Sequence, residues 1–145
     1  MTTLPHADRF QDLVVYQKAR ELALELFQIS ASFPRDEMFS LTSQLRRSSR
    51  SVGAQIAEAW AKRRYTRHFI SKLTDADGEA HETQHWLDIA ADCDYLDQES
   101  IERLKSGYNA IGRMINGMIA KSNKFCNPDT NTIRESSPEY FVNTK

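Results

Sequence analysis

The sequence predicts an all-α protein, an up-down-up-down antiparallel four-helix bundle. Glycine and proline are scarce, at 5 and 4 of 145 residues, and this is too few turn residues for a sheet protein. Apolar residues recur at intervals of three and four along four long segments, which places them on one face of a helix. A chain of this length fits one domain that needs no disulfide or metal for stability.

The first two helices are predicted on either side of a proline turn. Helix one is expected over residues 10 to 32, with apolar positions at Leu13, Tyr16, Ala19, Leu22, Ala23, Leu26 and Ile29. The turn is predicted over Phe33-Pro34-Arg35-Asp36-Glu37, because a proline disfavours the helical conformation of the residue before it. Helix two is expected to end near Arg64, with apolar positions at Leu41, Leu45, Val52, Ile56, Ala59 and Trp60. Small residues on it favour close packing by another helix: Ser48, Ser49, Ser51, Gly53, Ala54 and Ala57.

Helices three and four carry the most regular patterns. With Thr66 as the predicted N-cap, helix three places a seam at Phe69, Leu73, Ala76, Ala80, Thr83, Leu87 and Ala90. After a turn near residues 94–97, helix four repeats it at Ile101, Leu104, Tyr108, Ile111, Ile115 and Met118. The periodicity stops after Lys124, so the bundle domain is predicted over residues 1–124 and a mobile tail over 125–145.

Charge is unevenly distributed, although the net charge is only −1. Residues 35 to 72 hold nine basic and three acidic residues, whereas residues 73 to 105 hold two basic and ten acidic ones. The helical wheel places Arg46, Arg47, Arg50 and Arg64 on one stripe that faces away from the core. Asp75, Glu79 and Glu82 form an acidic ridge beside Trp86 on helix three.

Two functions could account for this uneven charge, and a charged surface that only contacts solvent is the third possibility. In the first function, the basic residues bind the phosphates of RNA or DNA, and the candidates are Arg46, Arg47, Arg50, Lys62, Arg63, Arg64 and Arg67. In the second, these residues serve contacts between copies of the chain, with no nucleic-acid binding. The predicted subunit interface comprises Glu58, Asp75, Glu79, Glu82 and Trp86.

One enzyme motif occurs, the HExxH match at residues 81 to 85. In a zinc protease, two histidines at this spacing bind zinc while the glutamate activates water. Here the wheel places His81 and His85 opposite the apolar seam, and no third ligand is evident. No phosphate loop, GxSxG or paired Glu-x-x-His motif occurs. We therefore expect no catalytic residue, no cofactor and no metal, with adventitious zinc or nickel on the histidine pair as the alternative.

The cysteines and the length of the apolar runs indicate where the protein is located. Cys93 and Cys126 are too few for a disulfide framework, and no apolar run could span a bilayer, so a cytoplasmic protein that does not enter membranes is expected.

Most of the aromatic residues of the helices are expected in the core or a subunit interface, namely Trp60, Trp86, Phe69 and Tyr108. Tyr65 is predicted in the loop between helices two and three, where it could stack on a base.

Several spaced motifs resemble the four helix bundle protein family, whose members were noticed in intervening sequences of 23S ribosomal RNA genes. The matching positions are Phe33-Pro34, Glu37, Leu41-Thr42-Ser43-Gln44-Leu45-Arg46-Arg47, Ser51-Val52, Ile56-Ala57-Glu58, Glu82-Thr83-Gln84 and Trp86-Leu87. Gln55 and Ala59 depart from the usual Asn and Gly. The resemblance runs from about residue 10 to 120.

The resemblance implies architecture more than activity. Similar proteins form up-down bundles that assemble into five-subunit rings, and the related accessory variability determinant of diversity-generating retroelements binds nucleic acid and a reverse transcriptase. By resemblance, residues 44–47 and Glu58 are interface or binding positions, and a nucleic-acid-processing protein is a possible partner. The residues and this resemblance together predict a non-enzymatic, ring-forming binding or scaffolding protein, and the resemblance implies that the ring is a homopentamer.

Overall fold

A computed structural model describes residues 7–126 of the chain, and all the regular structure in this range is helical. The helices are α1 (Val14–Ser30), α2 (Leu41–Ala61), α3 (Thr66–Asp92), α4 (Gln98–Ala120) and the short α5 (Ser122–Phe125). Single 3₁₀ turns at Phe10–Asp12 and Arg35–Glu37 precede α1 and α2. Helix α2 packs against α1 and α3, and α4 closes the bundle against the same two helices. The predicted four-helix bundle is confirmed.

The predicted seams of α3 and α4 form the centre of the core. All seven seam positions of α3, from Phe69 to Ala90, are at most 1% exposed. The six positions of α4, from Ile101 to Met118, are buried as well. On α1 the prediction is less accurate, because Val15 is buried while Tyr16 lies at the edge of the core.

Small residues let the helices approach closely, as the composition of α2 predicts. Ser48, Ser49 and Gly53 are buried on α2. The Ser48 hydroxyl lies 2.8 Å from the Thr83 hydroxyl of α3, and a Cβ at Gly53 would lie 3.5 Å from the Tyr16 ring of α1. These small residues therefore serve packing within one chain, although Ala54 stays exposed.

Several predicted boundaries are wrong by a few residues. Helix α1 begins at Val14, because Leu13 is extended after the preceding 3₁₀ turn. Helix α2 ends at Ala61, so Arg64 lies in the following loop. Thr66 is the first residue of α3 and not its N-cap, since extended Tyr65 holds the cap position and no side chain caps the helix. The N-cap of α3 could not be predicted from residue type, because no side chain forms a capping hydrogen bond there.

The bundle extends slightly beyond the predicted boundary at Lys124. Phe125 ends α5 and stacks on Phe69 with 6.0 Å between ring centroids, and Cys126 is buried. The rest of the predicted tail, 127–145, and residues 1–6 lie outside the described residues. Within residues 7–126, no helix is long and apolar enough to cross a membrane.

Candidate nucleic-acid interface

Arg46 of α2 is bound to the C-terminal end of α1. Its Nε donates to Ser30 Oγ at 2.8 Å, and its terminal nitrogen donates to the Phe27 carbonyl oxygen at 3.2 Å. The guanidinium also lies 4.6 Å from the Phe27 ring centroid, and that of Arg50 lies 5.3 Å from it. A cation that satisfies a carbonyl in the last turn of a helix also complements the helix dipole. Arg46 therefore has a structural role between α1 and α2.

Arg47 reaches the opposite neighbour, α3. Its guanidinium lies 2.5 Å from Glu82 Oε2 and 3.4 Å from Glu79 Oε1. Trp86 Nε1 donates to the same Glu82 oxygen at 3.0 Å. The hydrogen bonds from Arg47 and then from Trp86 stabilise the carboxylate and lower the pKa of Glu82. These four residues form a network on the flank of the α2–α3 pair.

The other acids predicted for a subunit interface have a partner in the same chain. Lys72 Nζ lies 3.0 Å from Glu58 Oε1 and 3.8 Å from Asp75 Oδ2. The predicted single stripe is therefore divided. Arg46 and Arg50 lie toward α1, Arg47 lies toward α3, and Arg64 is outside the helix.

Basic residues from two distant parts of the sequence meet at one end of the bundle. The α2–α3 loop and the start of α3 lie beside α5, which packs on α3 through the Phe125–Phe69 stack. We call this cluster the basic end, and it comprises Lys62, Arg63, Arg64, Arg67, Lys121 and Lys124. Among residues 7–126, no ion pair engages Lys62, Arg64, Lys121 or Lys124, and all four are exposed. Sequence reasoning missed the two lysines near residue 121, since only the antiparallel fold brings them to the loop.

Two side chains give the basic end a fixed framework. The Arg63 guanidinium lies 3.5 Å from the Trp60 ring centroid, and its Nε donates to the Trp60 carbonyl oxygen at 2.9 Å. Burial lowers the pKa of Arg63, but an arginine remains charged at any physiological pH. The Tyr65 ring lies in the loop, as predicted, 5.4 Å from the His68 ring. An ordered cation and an aromatic ring therefore lie among the exposed lysines and arginines.

The opposite end of the bundle is acidic. It holds the α1–α2 and α3–α4 connections, which Tyr95 joins by a 2.9 Å hydrogen bond from its hydroxyl to Glu37. We call this cluster the acidic end, and it comprises Asp36, Asp92, Asp94, Asp97, Glu99 and Glu102. Of the cations at this end, Arg103 pairs with Glu25 and Lys105 with Asp88, whereas Arg35 takes part in no ion pair among residues 7–126. The charges therefore separate along the bundle axis.

The two histidines of the HExxH match lie on the surface. His81 is largely exposed and its Nδ1 lies 2.8 Å from the Asp77 carbonyl oxygen. The exposed His85 ring lies 4.7 Å from the Trp86 ring. In residues 7–126 no group of three His, Cys, Asp or Glu side chains has a geometry suited to a metal. A zinc protease needs three protein ligands, and the described residues supply no such set here.

Comparisons with known proteins agree with the fold. The crystal structure, at 1.70 Å resolution, of a protein of unknown function from the S23 ribosomal protein family of Bacteroides thetaiotaomicron superposes with a TM-score of 0.65 and 28% sequence identity. The match covers 73% of this chain and 98% of that one. No functionally curated relative matches the sequence. The family model described as 23S rRNA-intervening sequence protein matches residues 11–117, and the chain belongs to this family.

Proposed function

We propose that the protein is a non-enzymatic homo-oligomeric binding protein, and that its basic end binds the phosphates of RNA or DNA. The observation that supports this most is that Lys62, Arg64, Lys121 and Lys124 lie at the same end of the bundle. Exposed cations without an acidic partner attract phosphate and release its counterions. Of the residues predicted from the sequence, this surface keeps Lys62, Arg63, Arg64 and Arg67 and leaves out the three arginines of α2 itself.

The helix arginines are poorer candidates for phosphate contacts. Arg46 and Arg47 would have to exchange existing hydrogen bonds with α1 and α3 for bonds to nucleic acid. By contrast, the basic end offers cations beside the Tyr65 ring, and aromatic rings stack on unpaired bases irrespective of sequence. We therefore expect binding with little sequence preference.

Assembly into a ring is the second part of the proposal. The family resemblance implies five subunits, and cyclic symmetry places every basic end in an equivalent position in the ring. Several equivalent phosphate-binding surfaces raise the affinity for a polyanion above that of a single copy when it can contact more than one of them. Cys93 and Cys126 form no disulfide with each other, which fits the reducing cytoplasm, where we place this assembly.

The salt dependence of nucleic-acid binding tests the basic end. Affinity for labelled duplex and single-stranded RNA is measured by fluorescence anisotropy across a salt series. We expect Lys62→Gln with Arg64→Gln to reduce the log–log salt slope by about 1.8 on a duplex, since each phosphate contact contributes about 0.9. The matched control is Arg35→Gln with Arg113→Gln, which removes equal charge from exposed positions elsewhere and should leave the slope unchanged.

Two outcomes would contradict the proposed site. An equal decrease of the log–log salt slope in both double variants would show that total charge, and not the basic end, determines binding. No binding by the wild type even at low salt would favour the alternative function, a homo-oligomeric protein–protein interaction module.

A further inference from the structure

An apolar knob projects from the acidic end of the bundle. Met38 and Phe39 lie between the proline turn and α2, and their side chains are 45% and 94% exposed. Phe39 contributes nothing to the core of its own chain. A large aromatic side chain that is fully exposed and adjacent to another apolar one marks a surface that contacts another molecule.

A groove of about 820 Å³ lies on the outer side of the α1–α2 pair. Its apolar walls include Tyr16, Ala23 and Leu24 from α1, and Gly53, Ala54 and Ala57 from α2. Leu24 is 57% exposed although it is apolar. The small side chains of Ala54 and Ala57 leave the outer side of the groove open, so it can accept a side chain of the size of phenylalanine.

The charges around the knob and the groove are complementary. Arg20 and Arg50 lie along the groove, both exposed, together with one acid, Glu21. Asp36 lies three residues before Phe39, is exposed, and takes part in no ion pair among residues 7–126. Arg35, Asp36 and Glu37 give the segment before the knob a net charge of −1, whereas Arg20, Arg50 and Glu21 give the groove +1, and these opposite charges favour one orientation.

The knob cannot fill the groove of its own chain. Gly53 is twelve residues beyond Leu41, the first residue of α2, so the two features are separated by about 18 Å along a rigid helix at 1.5 Å per residue. We infer that the groove between α1 and α2 receives the Met38–Phe39 knob of a second copy of this chain. This inference rests on the proposed homo-oligomer and names its contact. Contacts between different patches can repeat around a closed ring.

Mass measurement with variants on each side of the contact tests the inference. Native mass spectrometry and light scattering at micromolar concentration should show an oligomer for the wild type. We expect Phe39→Ser and Ala54→Glu each to raise the dissociation constant at least tenfold with the helical circular dichroism unchanged, since both positions are exposed. Val14→Ser and Ala61→Glu are the matched controls, because they alter exposed residues outside the knob and the groove and should keep the wild-type mass.

Mixing the two variants gives the sharper result. The Phe39→Ser chain keeps an intact groove and the Ala54→Glu chain keeps an intact knob, so the mixture should form a 1:1 heterodimer that neither variant forms alone. A wild-type mass in either variant, or dissociated variants that form no heterodimer, overturns the knob-and-groove contact while leaving the oligomer in place. An Ala54→Glu chain that loses stability at unchanged mass also overturns it, and identifies another segment of the same chain as the occupant. A monomeric wild type overturns both this contact and the proposed assembly, whereas the salt test of the basic end stands independently.

Discussion

The ion pairs of Arg47 provide a test of whether the charged flank of α2 and α3 serves the single chain or the contact between chains. The structure places Arg47 against Glu82 and Glu79 of the same chain. Sequence patterning, in contrast, predicts that these acids meet a neighbouring subunit. We expect Arg47→Gln and Glu82→Gln to destabilise the chain and to show a favourable coupling in a double-mutant cycle.

The size of this coupling follows from the exposure of the partners. The side chains of Arg47 and Glu82 are 47% and 37% exposed, so solvent screens their attraction. Exposed ion pairs contribute about 0.2–1 kcal/mol. The second hydrogen bond, from Trp86, holds the carboxylate in place and favours the upper half of that range, about 0.6–1 kcal/mol.

Urea unfolding measured at several protein concentrations provides the assay. A pair within one chain retains its coupling on dilution, whereas a pair between subunits loses it below the dissociation concentration. A control cycle between Arg47 and Glu58 should give no coupling, because Glu58 pairs with Lys72 and lies eleven residues further along α2. The reasoning is refuted if the Arg47–Glu82 coupling is absent at pH 7, or if it disappears on dilution.

The same pair predicts a pH dependence. The folded chain lowers the pKa of Glu82 below the ordinary value of 4.5, chiefly through the hydrogen bond from Arg47. The unfolded chain therefore binds the proton more readily, and stability rises with pH across this interval. The contribution is complete above the unfolded pKa and is lost as pH falls through the folded one. The stability difference between wild type and Glu82→Gln should accordingly shrink on acidification below about pH 4.5.

Two further predictions concern the glycines and the histidines. Gly78→Ala should stabilise the chain by about 0.8–1 kcal/mol and raise Tm by about 3–4 °C, because a Cβ there meets nothing within 4 Å. Gly107→Ala should stabilise the chain less or destabilise it, since its Cβ would lie 2.9 Å from Leu22 Cδ1. Thermal denaturation measures both variants, and an equal shift of Tm in the two would contradict this reasoning. Protein purified without an affinity tag should contain far less than one zinc per chain by elemental analysis, and His85→Ala should leave Tm nearly unchanged. Stoichiometric zinc that survives dialysis, together with peptide hydrolysis that is lost in Glu82→Gln, would contradict the non-enzymatic proposal.

The core could be predicted from sequence where the periodicity is long and uninterrupted. The seam of α3 continues through seven positions and that of α4 through six, so the direction of each helix face is over-determined. Boundaries depend on a few backbone angles. The extended Leu13 that separates the first turn from α1 carries no local signal of its own, and neither does the extended Tyr65 before α3.

The candidate site was less predictable because a helical wheel gives the direction of a side chain but not what lies there. Arg46 and Arg47 are neighbours in sequence, about 100° apart around the helix. This angle sends one to α1 and the other to α3, where each finds different partners. Lys121 and Lys124 approach the α2–α3 loop only through the antiparallel path of α4, so no local pattern could join them to Arg64.

The proposed binding of a polyanion by a chain with a net charge of −1 requires a local excess of positive charge. Arg47 and Lys72 are neutralised locally by acids of the same chain, so the α2–α3 flank of the bundle produces little field. Within residues 7–126, the basic end groups six cations and the acidic end groups six acids. Because exposed charges more than about 10 Å apart are screened at 0.1 M salt, a phosphate at the basic end experiences the local cluster and hardly the distant acids. On the proposed function, the acidic end repels phosphate, and we expect the two ends together to orient an approaching nucleic acid.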